Sequence, residues 1–280
     1  MSDELISVVT AFSIREEVRM KRVYMTIAYD GTNYVGWQMQ PNGTAVEEVI
    51  NKALCDLLGE EIVIAGASRT DSGVHALGNV AIFDTETRIP ADKISYALNR
   101  VLPRDIVISE SHEVDGSFHP RHADCIKTYE YNILNSNHPN PMLWRYSHFV
   151  YLPLDTVAMK AGAQYLVGEH DFASFCSAHA QTKTTVRTVY NLEVGENTEN
   201  IRGMHLADRQ RLITIRISGN GFLYNMVRII AGTLIRVGHH MYPPEHVKEI
   251  LEACDRKFSG PKAPAQGLTL LGIEYTNNCK

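Results

Sequence analysis

An α+β fold made of two like halves with antiparallel sheets is predicted by three features of the sequence. Strand-like and helix-like segments follow in the order β-α-β-β-α-β over residues 22–109. The same order returns over 128–275 without visible sequence identity. Between them lies a turn-rich stretch with no sustained period, HEVDGSFHPR, residues 112–121. The division expected from this pattern is an extension over 1–20, a first α+β domain over 21–115 and a second over 116–280.

Residues 22–29 (RVYMTIAY) are rich in β-branched and aromatic side chains and stop at Asp30-Gly31, as a strand closed by a turn does. Thr44 is placed to cap a helix over AVEEVINKALCDLLG. In it Val46, Val49, Ile50, Ala53, Leu54, Leu57 and Leu58 form one apolar stripe, and Gly59 is the stop signal. Strands follow at 61–65 and 79–83, then a helix at 91–100 behind Pro90 and a strand at 106–109. In the second half the pattern predicts strands at 128–134, 186–194, 212–218 and 270–275, and helices at 154–167 and 222–237. A further helix at 244–258, followed by Ser259-Gly260-Pro261, interrupts the second copy.

With 280 residues, 44% of them hydrophobic, the chain can bury a sizeable core, which excludes a disordered protein. No run of 18 apolar residues exists, and the opening MSDELISVVTAFSIREEVRM is unlike a signal peptide. A cytoplasmic protein without a membrane partner is expected. Cys55, Cys125, Cys176, Cys254 and Cys279 are scattered with no C-x-x-C, so reduced thiols are expected. The twelve histidines contain no H-x-x-x-H with a flanking acid, and no Walker loop or G-x-G-x-x-G is present; neither metal nor cofactor is expected. Net charge is −5, unevenly spread. Residues 1–115 hold 10 basic against 18 acidic side chains (−8), and 116–280 hold 17 against 14 (+3). That asymmetry permits a basic surface in the second half. Arg202, Arg209, Arg211 and Arg216 cluster around one strand, where an exposed hairpin is the plainer reading.

The stretch GASRTDSGVHALGNVAIFDT, residues 66–85, places Arg69, Asp71 and His75 around a Ser-Gly turn between two apolar runs. Asp-Ser-Gly is ordinary turn chemistry, yet a turn has no need of a guanidinium. An arginine close by favours the charged form of a carboxylate, which can then serve as nucleophile or general base. His75 is the rival candidate, with a hydrogen-bonded structural histidine as its plain alternative. KTYEYNIL sets Tyr129, Tyr131 and Ile133 on one strand face, either as core or as a surface that stacks on a base. Lys127 and Arg121 nearby could meet phosphates. Arg228 sits in the otherwise apolar helix GFLYNMVRIIAGTLIRVG. Buried, it would demand a carboxylate partner, and Asp71 is the acid to pair with it; exposed, it would lie on an amphipathic face.

Taken together, YDGTNYVGWQ (29–38), SRTDSGVHALGNV (68–80), SFHPRHADCIKTYEY (117–131), LVGEHDFASF (166–175), VRT (186–188), NGFLYNMVRIIAGTLIRVG (220–238) and APAQGLTLLGIEY (263–275) resemble the tRNA pseudouridine synthase A family. The resemblance runs from about Lys21 to Tyr275, and its R-T-D-x-G-V-H core is highly specific. It implies two ferredoxin-like halves joined side by side, helices on one face and an RNA-binding cleft on the other. It implies isomerisation of uridine in tRNA, in the anticodon stem-loop at positions 38–40, by a homodimer without metal or cofactor. By the same resemblance Asp71 is the catalytic carboxylate, Arg69 helps displace the target nucleotide, Tyr129 packs on the uracil, and Arg228 pairs with the aspartate. Lys127, Arg121, Gln38, His75 and Arg187 are the expected RNA contacts. Ser68 and Ser72 replace the Gly and Ala usual around R-T-D, and Glu47 stands where the family has Gln, a change that bears on which uridines are modified. An RNA-binding protein of this fold without catalysis, a pseudouridine synthase acting on a different RNA, and a carboxylate hydrolase cutting a nucleoside glycosidic bond are the competing readings.

Overall fold

Alternation of apolar residues carries the first strand through nine positions: β1 (Lys21–Tyr29) buries Val23, Met25, Ile27 and Tyr29 on one face. Against that face α1 (Val46–Leu58) lays Val46, Ile50 and Leu54, and Gly59 ends the helix in the left-handed region at φ 70°. Its N-cap is Ala45 rather than Thr44, and Glu48 reaches back to the Ala45 N–H. The first half continues with β2 (Ala65–Gly66), β3 (His75–Thr85), α2 (Ala91–Leu98) and β4 (Ile106–Val114). The second half runs β5 (Cys125–Asn135), β6 (His148–Val150), α3 (Thr156–Gln164), β7 (Gly168–Asp171), β8 (Val186–Asn197), β9 (Asn200–Ile201), β10 (Met204–His205), β11 (Arg211–Gly219), α4 (Met226–Gly238), α5 (His246–Ala253) and β12 (Leu268–Tyr275). This computed structural model describes residues 19–177, 182–198, 200–201, 204–205 and 210–276. The expected extension up to position 18, Arg202, Arg209 and Cys279 lie outside them.

The main sheet has the order β4-β1-β3-β12-β5-β11-β8-β7, with β2 beside β3 and β6 beside β5. Each half has the split β-α-β order, β4-β1-β3-β2 in the first and β12-β5-β11-β8 in the second. Their sheets are continuous through a parallel seam, where Thr269 and Leu270 of β12 face His75 and Ala76 of β3. β2 takes the far end of the same edge, at Ala81 and Ile82. The helices pack on one face in a single apolar cluster that spans both halves. A small cluster of Tyr24, Val80, Ile82 and Phe118 covers part of the other face, and Phe118 reaches it from the 115–124 connection.

Two elements differ from the sequence pattern for local reasons. At 61–65 Ile62 and Ile64 are buried and Val63 is exposed, as a strand would have it. The Ile64 N–H is nevertheless taken by Asn51 and the Ile62 N–H by the Cys55 sulfur, both on α1, so the ladder begins only at Ala65. The helix expected from 222 starts at Met226, because Asn225 is in the left-handed region at φ 63° and breaks the helical path. The described members of the arginine cluster are paired across strands, Arg216 with Glu130 at 2.7 Å and Arg211 with Glu196 at 3.1 Å. Among the described residues no helix is long and apolar enough to cross a membrane.

Candidate active site

The parallel seam decides where the site is. β3 and β12 start at the same end of the sheet, so the loop leading into β3 (67–74) and the segment leading into β12 (259–267) lie side by side. An added Cβ on Gly73 would sit 3.3 Å from that of Ala265. A cleft of about 860 Å³ opens there, a size typical of small-ligand sites.

Asp71 is on its wall. Its Oδ2 accepts from Arg228 Nη1 at 3.0 Å, and its side chain is 20% exposed against 9% for Arg228. Arg228 is fixed from behind: Nε donates to the Ala263 carbonyl at 2.8 Å, Nη1 also donates to Asn225 Oδ1 at 3.0 Å, and the Arg228 carbonyl accepts from the Ala263 N–H. The buried arginine therefore has its acid, and the acid is Asp71. Asp71 Oδ1 has no hydrogen-bond partner among the described residues, so the carboxylate is anchored by one oxygen and offers the other to the cleft.

The loop carrying Asp71 is held almost atom by atom. The Gly66 carbonyl accepts from Arg121 Nε (2.7 Å), that of Ala67 from Lys127 Nζ (3.0 Å), that of Ser68 from Asn79 (3.0 Å) and that of Thr70 from the Trp37 N–H (3.1 Å). The Thr70 hydroxyl bonds the buried Tyr29 hydroxyl at 2.8 Å, and Asp71 O closes a turn with the Val74 N–H. Gly36 makes this possible: with φ 106°, any Cβ there would stand 2.5 Å from the Thr70 carbonyl oxygen. A loop with the carbonyls of residues 66, 67, 68, 70 and 71 on fixed donors has little freedom to move its side chains out of register.

Of the residues nominated from sequence, Asp71, Arg69, Tyr129, Lys127, Arg121, Gln38 and Arg187 line the cleft, and Arg228 stands directly behind Asp71. Arg69 is exposed and makes no ion pair among the described residues. Tyr129 is 8% exposed, edge-on to Phe222 at 5.2 Å; burial pushes its hydroxyl up to about 12, and the Asp71 charge adds to the rise. Lys127 is half-buried, and burial draws its ammonium below the usual lysine range, with Arg121 pushing the same way. Arg187 folds back on the Thr184 and Val186 carbonyls and the Thr182 hydroxyl. Glu47, the departure from the family pattern, accepts from the Met39 N–H at 3.1 Å and so ties α1 to the segment carrying Gln38.

His75 is placed elsewhere. It is 3% exposed at the start of β3, off the cleft wall, with Nδ1 accepting from the Gly31 N–H at 3.0 Å and Nε2 meeting the Arg145 carbonyl at 2.9 Å. Burial holds its pKa below the ordinary histidine value despite Asp30 at 3.1 Å. Its ring is a buried strut, because both nitrogens are consumed by backbone. Tyr131 and Ile133, on the same face as Tyr129, are fully buried core. Sequence reasoning passed over Asn225, Phe222, Tyr224 and Asn79. An asparagine between aromatics and a helix start was the available signal for the first, since asparagine is among the residues that tolerate a left-handed backbone.

A family model of tRNA pseudouridine synthase matches residues 25–122 and 163–276, leaving out the stretch with Lys127 and Tyr129. Proteins described as tRNA pseudouridine synthase A match over 256 residues, 91% of this chain and 100% of theirs: that of Ruminiclostridium cellulolyticum at 47% identity, that of Brevibacillus brevis at 46% and that of a Thermoanaerobacter species at 45%. A match through both halves, with relatives this similar along nine-tenths of its length, makes the chain a member of the tRNA pseudouridine synthase family, a family of isomerases.

Proposed function

We propose that this protein converts uridine to pseudouridine at positions 38–40 of the tRNA anticodon stem-loop, with Asp71 as the catalytic carboxylate. The observation that carries this reading is the Asp71 carboxylate in a basic-walled cleft, held 3.0 Å from the buried Arg228 by one oxygen with the other uncommitted. The reaction breaks the bond between N1 of uracil and C1′ of ribose, turns the ring and joins C5 to C1′. C5 loses a proton and N1 gains one, so atoms balance within the substrate and no electron carrier enters. A target in a stem must first leave the stack, at a cost of a few kcal/mol. Arg69, exposed and without an ion pair among the described residues, would fill the space the base vacates, and the edge of Tyr129 with Phe222 would give the uracil an apolar wall. The Nη groups of Arg121, whose Nε serves the loop, are left to meet phosphates, and Lys127, Gln38 and Arg187 extend that surface. The functional unit in this reading is a cytoplasmic homodimer, each chain divided near residue 115 into a carboxylate-bearing and a guanidinium-bearing domain.

The test is Asp71→Asn assayed by tritium release from tRNA labelled at uracil C5. Loss of release with tRNA binding retained is expected; undiminished turnover would end the assignment. Mapping pseudouridine in RNA from cells with and without the protein checks the positions, and free uracil as product would point to a hydrolase instead.

A further inference from the structure

We infer that Asn225 is a positioning residue of the catalytic pair: it holds Arg228 so that only one carboxylate oxygen of Asp71 is bound. The inference rests on Asp71 being the reacting group. Asn225 stands at the N-terminus of α4, where asparagine ordinarily caps the helix with its side chain. Here it makes no cap bond, and its backbone takes φ 63°, a conformation costly for a residue with a Cβ. Its amide is directed to two other groups instead. Oδ1 accepts from Arg228 Nη1 at 3.0 Å, and Nδ2 donates to the Ser177 hydroxyl at 3.0 Å; the residue is 6% exposed. An asparagine that takes the left-handed backbone it tolerates and forgoes the usual cap bond has its side chain free for other partners, and here the amide is committed to Arg228 and Ser177.

The geometry explains why Arg228 meets Asp71 at one point. An arginine facing a carboxylate tends to a two-point fork that occupies both oxygens. Of the two hydrogens on Nη1, one goes to Asp71 Oδ2 and the other to Asn225, while Nε goes to Ala263. With Nε held by Ala263 and Nη1 shared between Asp71 and Asn225, the guanidinium is fixed in an orientation that meets Asp71 through Nη1 alone, and Oδ1 stays available to the uridine. Without Asn225, Nη1 gains a free hydrogen and the guanidinium can rotate about its remaining anchor to grip both oxygens, stabilising the resting carboxylate at the expense of reaction.

Asn225→Gly is the informative change, because glycine keeps the left-handed backbone and removes the side-chain amide, and with it the acceptor for Arg228 and the donor to Ser177. A fall in kcat of about 10-fold or more is expected, the range of one lost hydrogen bond to a charged group. KM for tRNA and the unfolding midpoint should stay close to wild type. In an Arg228→Lys background, which has no fork to orient, the same change should have little further effect on kcat. Wild-type kcat in Asn225→Gly, a loss confined to KM, or full additivity with Arg228→Lys overturns the proposal. Asp71→Asn in the same assay separates the two levels: an active Asp71→Asn removes the underlying reading, whereas an inactive one beside a normal Asn225→Gly removes only this inference.

Discussion

The two halves share a strand order and contribute opposite kinds of part. The first half gives a carboxylate on a loop: Asp71 lies between β2 and β3, and the loop is held by the Tyr29 hydroxyl on that of Thr70, the Asn79 amide on the Ser68 carbonyl and backbone bonds to Trp37 and Tyr34. The second half gives a guanidinium on a helix: Arg228 is in the first turn of α4, twelve of whose thirteen residues are buried. Neither part is complete alone. They meet because β3 and β12 pair in parallel, which brings the approach to one strand beside the approach to the other. A duplicated scaffold therefore does not imply a duplicated cleft; the proposed site is at the one seam where unlike connections of the two copies become neighbours.

The largest effect should come from cutting the pair from the second half. Arg228→Ala removes a buried cation and leaves the Ala263 carbonyl and Asn225 without their donor. A stability loss of about 3 kcal/mol is expected, with kcat down roughly 1,000-fold. Asp71→Asn should abolish activity as fully but cost about 1 kcal/mol or less, since the amide oxygen can still accept from Arg228 and the side chain is a fifth exposed. Urea unfolding of the two variants beside single-turnover assays makes the comparison. If both unfold at the same concentration, α4 is not the structural member of the pair.

How far the sequence discloses this arrangement depends on range. Asp71 and Arg228 are legible because each breaks a local rule: an arginine two residues from an acid in a turn, and a charge inside an apolar helix. The element order is legible in its periodicities. The parallel seam is not, since two residue pairs along β3 and β12 leave no pattern of their own in either strand. His75 was ambiguous for a related reason. Its neighbours Gly31, Asp30 and Arg145 come from distant parts of the chain, and only their convergence makes the ring a strut rather than a contact. Asn225 was invisible because left-handed backbone is a property of conformation, with no signature beyond a tolerated residue type.

The first half's dependence on close backbone approach can be isolated with two glycines. Gly36→Ala would place a Cβ 2.5 Å from the Thr70 carbonyl oxygen at φ 106°, one residue from Asp71. A loss of 2–3 kcal/mol, about the cost of overpacking, and a fall in kcat of at least 10-fold are expected. Gly59→Ala, at the end of α1 with φ 70° and nothing within 4 Å, should cost about 1 kcal/mol and leave kcat untouched. Equal kcat in the two variants, measured at saturating tRNA, would show that the loop is not the mount of the carboxylate.

The smallest contrast is between two histidines, the buried His75 of the first half and the half-buried His148 of the second. Burial lowers the pKa of both His75 and His148, so below about pH 6.5 the unfolded chain takes up protons that the folded chain refuses. Stability contributed at neutral pH is therefore lost as pH falls from 6.5 toward the folded values, with a slope of at most about 1.4 kcal/mol per pH unit for each ring. The rings differ in what they hold. His75 satisfies the Gly31 N–H and the Arg145 carbonyl, whereas His148 has a buried Nδ1 without a partner among the described residues. His148→Phe should flatten the acid slope between pH 6.5 and 5 while costing little at pH 7. His75→Phe should flatten it as well but lose about 2 kcal/mol at every pH, because two buried backbone groups are left unpaired. Unfolding midpoints at pH 5, 6 and 7 read both effects. A His148→Phe chain that weakens in acid as steeply as wild type would mean that the folded protein takes up the His148 proton freely, through exposure of β6 on acidification.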